Sequence, residues 1–130
     1  AAIMLANNEE DPDAAIDAFR KIQYESTSPV TQQTASLDLI EVFIEIGRYD
    51  EGLSEINGLY ALEAPAIDIS DAYLSNLMIL LLREDLPAAQ TLVKQVNKAS
   101  FIINKDVRQQ MNDALKAYIE AHQEDETETE

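Results

Sequence analysis

The sequence predicts an all-α fold built from antiparallel pairs of helices. Three observations lead there: helix-start signals recur along the chain, apolar residues follow them at helical spacing, and no stretch alternates apolar and polar residues as a half-buried strand does. The 130 residues include only 3 Gly and 4 Pro, and 46% are hydrophobic, which excludes a disordered chain. A chain of this length is expected to form one domain with a sizeable core.

Capping residues predict where the helices begin. A side-chain oxygen ahead of a helix accepts a hydrogen bond from one of its first free amides, and proline suits the first helical position. The pattern predicts seven helices, the first of which, over Ala1–Ala6, is the second half of a longer helix, so we expect a fragment or a processed N-terminus. Gly47 and Pro65 are predicted to end two helices. The predicted starts are Asp11-Pro12, Ser28-Pro29, Asp50, Ser70 or Asp71, Asp85-Leu86-Pro87 and Asn104.

The sequence also repeats at an interval of 37 residues. Small residues recur in the second helix of each pair, and bulky apolar residues recur at fixed distances from them. The small column is the stronger sign of a repeat, because a small side chain lets two helices approach closely. The columns are Ala15, Gly52 and Ala89; Phe19, Ile56 and Val93; Ile22, Leu59 and Val96; Ala6, Phe43 and Leu80; and Ile3, Ile40 and Leu77.

In the middle unit Gly47 is followed by Tyr49, Asp50, Gly52 and Leu53. This pattern resembles a tetratricopeptide repeat. In that family a helix ends in Gly, and an aromatic residue, an acidic cap, a small residue and a Leu follow. Here Gly47, Tyr49, Asp50 and Leu53 match this pattern, and Gly52 stands where the family favours Ala. The chain departs from the family at three further points. Leu59 and Ile40 replace small residues, and the interval of 37 exceeds the usual ~34.

The resemblance covers roughly residues 1–104 and implies a short right-handed α-solenoid of about three units. These units are approximately 1–27, 28–65 and 66–103, and a capping helix over 104–122 would close the stack. The domain would thus span 1–122. The remainder, 123–130, contains five acids and no apolar residue, which predicts a disordered tail.

The charge narrows the class of partner. There are 25 Asp and Glu against 9 Lys and Arg, a formal charge of −16. This field disfavours binding to nucleic acid or to an anionic membrane and predicts a basic protein partner. The longest apolar run, Leu77–Leu82, is too short to cross a bilayer. The absence of cysteine is compatible with cytoplasm or periplasm; we favour the cytoplasm and leave the compartment open.

The sequence predicts neither an enzyme nor a cofactor or metal site. Cysteine is absent, and the one histidine, His122, sits beside the acidic tail, which makes nucleophile–histidine–acid catalysis implausible and favours a solvated imidazole at a helix end. The three glycines form no phosphate loop. The acidic cluster at Glu9–Asp13 lacks the spacing of a calcium loop, so helix capping is its simpler interpretation.

The resemblance implies a concave groove lined by the first helix of each unit, where such proteins bind an extended or helical peptide. We therefore predict a non-enzymatic adaptor or chaperone-like module for a basic, amphipathic segment. Two alternatives stay open for the apolar helix at 72–83. In the first, its side chains are plain core. In the second, they pack on another chain segment, which is either another copy, as in a homodimer, or the missing N-terminal repeats. The predicted partner-binding residues are Leu37, Glu41, Ile44, Glu45, Leu74, Met78 and Leu81.

Overall fold

The computed structural model describes residues 11–98 and 103–128, with side chains up to residue 122. Those ranges contain six α-helices and no strand, which confirms the predicted all-α class. The predicted helix at Ala1–Ala6 lies outside them. None of the helices in the described ranges has the length and apolar character needed to cross a membrane. The helices are α1 (Pro12–Glu25), α2 (Pro29–Glu45), α3 (Tyr49–Tyr60), α4 (Ser70–Leu82), α5 (Leu86–Lys98) and α6 (Lys105–Glu128).

Four of the six helices begin as their capping residues predicted. In each, the side-chain oxygen of the residue ahead of the helix accepts a hydrogen bond from an amide of the first turn. Each such bond satisfies one amide that the helix itself leaves free. The bonds are Asp11 to the Ala14 amide (3.0 Å), Ser28 to Thr31 (3.3 Å), Asp85 to Ala88 (3.3 Å), and Asn104 to Asp106 (2.8 Å) and Val107 (3.4 Å).

The other two starts differ from the prediction. α3 is preceded by Arg48, whose side chain makes no capping bond, so the assignment of Asp50 as the cap is wrong. Asp50 lies within the first turn instead, where an acid still favours the positive end of the helix dipole. At α4 the acceptor is Asp68, which receives the Ser70 amide (2.9 Å) and hydroxyl (2.5 Å).

Two helix ends share one backbone geometry, 37 residues apart. Two residues after α2, Gly47 has a φ of 79°, and two residues after α4, Glu84 has a φ of 60°. At each end one amide reaches back five residues to a carbonyl and another reaches back three, which satisfies carbonyls at the end of the helix. These bonds are Arg48 to Phe43 (2.8 Å) and Gly47 to Ile44 (3.2 Å), and Asp85 to Leu80 (2.9 Å) and Glu84 to Leu81 (3.0 Å).

The chain divides into two compact units, with the boundary between Ser75 and Asn76 inside α4. In the first unit α2 packs against α1 and against α3. Burial of each large apolar side chain there contributes about 2–3 kcal/mol to stability. The core cluster comprises Ala15, Ile16 and Phe19 of α1 and Ala35, Leu39, Val42 and Phe43 of α2.

In the second unit α5 packs against α6. Val107 and Met111 of α6 are buried, and Asn97 and Asn112 exchange amide hydrogen bonds of 3.0 Å between the two helices. α6 runs to Glu128, past His122, where we predicted the last helix to end. Helix hydrogen bonds propagate readily once a nucleus exists, so a polar sequence does not by itself stop a helix. The prediction of a disordered tail over 123–130 stays a prediction.

Candidate protein-binding surface

Four of the predicted partner-binding residues share one face of α2. Leu37, Glu41, Ile44 and Glu45 are spaced by four, three and one residues, which places them on one side of a helix. Leu37 and Ile44 are half-buried, whereas Glu41 and Glu45 are exposed. The face therefore combines apolar side chains that are partly open to solvent with carboxylates at their side.

Electrostatic interactions show which other groups lie close to this face. The pKa of Glu41 is raised above its ordinary value, first by burial and then by the negative charges of Asp38, Asp71 and Glu45. Burial also raises the pKa of Asp38. Because Asp71 is in the first turn of α4, that turn lies near the middle of α2. Within the first unit, four carboxylates thus converge on one surface.

We call this surface the acidic face. Asp38 was not among the partner-binding residues predicted from the sequence. Its signal was available, because Asp38 precedes Glu41 by three residues and shares its side of the helix. The acidic face comprises Leu37, Asp38, Glu41, Ile44 and Glu45 of α2 and Asp71 and Leu74 of α4.

The ion pairs of Arg20 and Arg48 lie elsewhere in the first unit. Arg20 pairs with Glu55, joining α1 to α3. Arg48 pairs with Glu51 (2.6 Å) and Asp13 (3.4 Å), and its guanidinium lies 5.4 Å from the centre of the Phe43 ring. Among described residues, no Lys or Arg pairs with a carboxylate of the acidic face. Its negative charges are therefore available to a cation from outside.

The remaining predicted residues lie on α4. Leu74 is half-buried and follows Asp71 by three residues, so both share a side of the helix. Met78 and Leu81 lie beyond the boundary, in the second unit. Met78 is 40% exposed and Leu81 is half-buried, so neither is a fully enclosed core side chain.

The repeat interval relates α2 to α4 position by position. Leu37 corresponds to Leu74 and Ile44 to Leu81, which keeps the apolar positions apolar. Glu41 and Glu45, however, correspond to Met78 and Leu82, and Leu82 is 51% exposed. Two exposed carboxylates on α2 are thus replaced on α4 by two exposed apolar side chains.

Two clefts of the first unit adjoin these helices. One, of about 250 Å³, lies between α1 and α2 and is lined mainly by apolar groups, with Asp38 on its wall. The other, of about 260 Å³, is lined by Gln23, Gln32, Gln33 and their neighbours. In that second cleft, Gln23 donates hydrogen bonds to Ser36 (2.9 Å) and Glu55 (3.2 Å). These bonds join α1, α2 and α3.

No cluster of acids and histidine in the described part of the chain has the geometry to hold a metal ion. The His122 imidazole is exposed and stacks on the Tyr118 ring at 3.9 Å, with Nδ1 2.9 Å from the Tyr118 carbonyl oxygen. This ring therefore packs on the surface of α6 rather than at the helix end predicted from the sequence.

A scan against protein-family models and searches of curated proteins and of solved structures find no match to this chain.

Proposed function

We propose that this chain is a non-enzymatic, tetratricopeptide-like interaction module that binds a basic, amphipathic segment of a partner protein on the acidic face. The observation that carries the proposal is the grouping of four carboxylates beside half-buried apolar side chains, with no described Lys or Arg paired to them. The raised pKa of Glu41, caused first by burial and then by the other three carboxylates, agrees with this grouping. Like charges held together on the surface of the free protein repel one another. This repulsion is reduced when a group of opposite charge binds there.

The apolar part of the acidic face defines the rest of the ligand. Leu37 and Ile44 are half-buried, so a partner side chain placed over them removes apolar surface from water. A helix with Leu, Ile or Phe on one stripe and Lys or Arg beside it matches both features. The net charge of −16 steers such a segment toward the protein.

The solenoid architecture is part of the same proposal. Neighbouring helices pack in the order of the chain, α1 with α2, α2 with α3, and α5 with α6. The small-residue column is buried at Ala15, Gly52 and Ala89, and the two helix ends repeat their backbone bonds at the same interval. These features support repeated helix pairs related to the tetratricopeptide family.

Binding of a synthetic amphipathic helix with Leu anchors and Lys flanks tests the proposal. The measurement is the Kd by fluorescence anisotropy at two salt concentrations. We expect E41K/E45K to weaken binding at least tenfold, and added salt to weaken binding of the unmodified chain.

The matched control is D17K/E63K, which changes the net charge equally at two exposed sites away from the acidic face. If both double variants lost the same binding affinity, net charge alone would explain the effect. That outcome would contradict a defined binding site. Circular dichroism of each variant checks that it remains helical.

A second candidate function is assembly through α4. The observation that favours it is the exposure of Met78 and Leu82, which are four residues apart on one side of that helix. If α4 packs on another copy, M78E/L82E lowers the solution mass to that of one chain. An unchanged mass in this variant removes α4 as the interface.

A further inference from the structure

An open apolar groove runs along α6, in the second unit. It has a volume of about 360 Å³, and its described lining consists of Asn112, Leu115, Lys116, Ile119 and Glu120. All five residues belong to one helix, and Leu115 and Ile119 form its apolar floor. The core side of α6, with its buried Val107 and Met111, is a neighbouring side of the same helix. No other described element lines the groove.

Arg108 lies on the same stripe of α6, seven residues before Leu115 and eleven before Ile119. Its Nε and Nη2 atoms are buried and have no hydrogen-bond acceptor among the described residues. A buried donor of a charged group without an acceptor is costly, and a carboxylate that can accept two hydrogen bonds from a guanidinium is its best partner. Within the described part of the chain, Arg108 therefore lacks the carboxylate partner that would offset this cost.

The charges along α6 are divided between its ends. The part from Lys105 to Lys116 holds three bases and two acids, Asp106 and Asp113, and so carries a small net positive charge. The part from Glu120 to Glu128 holds five acids and no Lys or Arg: Glu120, Glu124, Asp125, Glu126 and Glu128. Two such helices laid antiparallel place the basic part of each beside the acidic part of the other. A parallel pair would instead align like charges.

We propose that α6 pairs antiparallel with α6 of a second copy of this chain. A two-fold axis midway between Leu115 and Ile119 sets Leu115 of each copy opposite Ile119 of the other, which closes the two grooves on each other. The same register brings Arg108 of each copy opposite position 126 of the other. Position 126 follows Arg108 by five full turns, so it lies on the same stripe of the helix.

Charge favours a second copy over other occupants of this groove. A basic peptide would match the acidic end of α6 but would set its cations against Arg108. An acidic peptide would match Arg108 but would be repelled by the end that begins at Glu120. A partner fits the whole stripe only if it carries acidic residues opposite Arg108 and basic residues opposite the acidic end. A second α6 that runs in the antiparallel direction has this arrangement.

Sedimentation equilibrium of the whole chain from ~10 μM to ~1 mM tests the pairing. We expect a reversible dimer, which L115E/I119E converts to a monomer. The matched control is M78E/L82E, which adds the same charges to an exposed apolar pair of α4 and should leave the dimer intact. A monomer throughout, a dimer that survives L115E/I119E, or a dimer lost only in M78E/L82E overturns the proposal.

Charge reversal tests the register. R108E and E126R should each weaken self-association at least tenfold, because each creates two like-charge contacts across the axis. The combination R108E/E126R should restore the dimer, since it exchanges the two charges and keeps them opposite. Failure of that rescue by a variant with unchanged helicity overturns the pairing. If R108E does not fold, the self-association of E126R can be compared with that of E63R. The E63R variant reverses a charge in the loop before α4, so a larger loss in E126R measures the same contact.

Discussion

The turns after α2 and after α4 adopt the same backbone geometry with different residues. Both place a residue at positive φ and both return an amide to a carbonyl five residues earlier. The first turn uses Gly47 for the positive φ, but the following Arg48 does not cap α3. The second uses Glu84, a poor residue for that conformation, but the following Asp85 caps α5 through its carboxylate.

The same backbone turn can therefore recur without a repeated sequence motif. In each turn one local preference is satisfied and the other is not. Glycine at positive φ avoids a conformational cost of about 1–2 kcal/mol, and a capping carboxylate contributes about 1 kcal/mol. The two contributions are similar in size, so either device is sufficient when the helices on both sides pack.

The largest expected effect comes from removing the glycine of the first turn. Gly47→Val should lower the free energy of unfolding by about 2 kcal/mol and Gly47→Ala by about 1 kcal/mol, because neither adopts positive φ readily. Urea denaturation measures both losses. A Cβ at Gly47 would meet nothing within 4 Å, so the loss is conformational rather than steric.

Gly58 is the matched control for this substitution. It lies inside α3, and a Cβ there also meets nothing within 4 Å. Gly58→Ala should therefore raise stability, by about 0.5–1 kcal/mol. If Gly47→Ala were stabilising as well, positive φ would not be the reason for glycine in the first turn.

The next effect is loss of the cap in the second turn. Asp85→Ala should cost about 1 kcal/mol, since the Ala88 amide loses its acceptor. Asp85→Asn, which keeps a side-chain oxygen, should cost much less. Arg48→Ala is the comparison in the first turn. It removes no capping bond, so any loss of stability in this variant comes from the ion pairs with Glu51 and Asp13. Thermal unfolding of the three variants orders these effects, and equal losses for Ala and Asn at position 85 would contradict capping.

A smaller gain is expected when the second turn is given the glycine of the first. Glu84→Gly removes the strain at φ 60° but makes the unfolded chain more flexible, so the net stabilisation should be about 0.5 kcal/mol. The check is the urea midpoint of this variant beside Glu84→Ala, which keeps the strained φ. A lower midpoint for Glu84→Gly than for Glu84→Ala would show that the turn after α4 does not need glycine-like freedom.

The smallest effect concerns the contrast between Glu41 and its repeat equivalent Met78. Because the pKa of Glu41 is raised in the folded state, there is a pH range between the unfolded and the folded pKa in which the folded chain keeps a proton that the unfolded chain has lost. Stability from this group is complete below the unfolded pKa and is lost as the pH rises through the folded pKa. Glu41→Gln should therefore gain stability relative to the unmodified chain as the pH rises from about 4 to about 7.

Melting temperatures at several pH values measure this gain. Glu63→Gln, at an exposed carboxylate in the loop before α4, is the control. A gain of the same size in that variant would trace the effect to net charge rather than to the acidic face.

Local sequence was sufficient for much of the fold. A capping bond joins residues only a few positions apart, so local sequence is enough to predict it. The caps predicted in this way were Asp11, Ser28, Asp85 and Asn104. The grouping of Leu37, Glu41, Ile44 and Glu45 on one face followed from helical spacing for the same reason. The role of Asp68 as the acceptor at the start of α4 was missed, because several polar residues near it could all have served as the cap.

The features that local sequence did not reveal depend on contacts between distant residues. The charge of Asp71 acts on Glu41 because the packing of the helices brings the start of α4 toward the middle of α2, and no interval in the sequence shows how close the two carboxylates are. Arg48 joins Asp13 and Glu51 rather than capping α3, because the turn sets its side chain between α1 and α3.

Residue type and spacing along the chain were enough to define the helical class, most helix starts, the 37-residue interval and the negative charge. Tertiary structure alone decided which carboxylates converge, which apolar side chains stay open to solvent, and that Glu84 adopts a glycine-like φ. The physical reason is the same throughout. Helix propensity and capping act within one turn of chain, whereas desolvation, charge repulsion and backbone strain depend on which helices pack together.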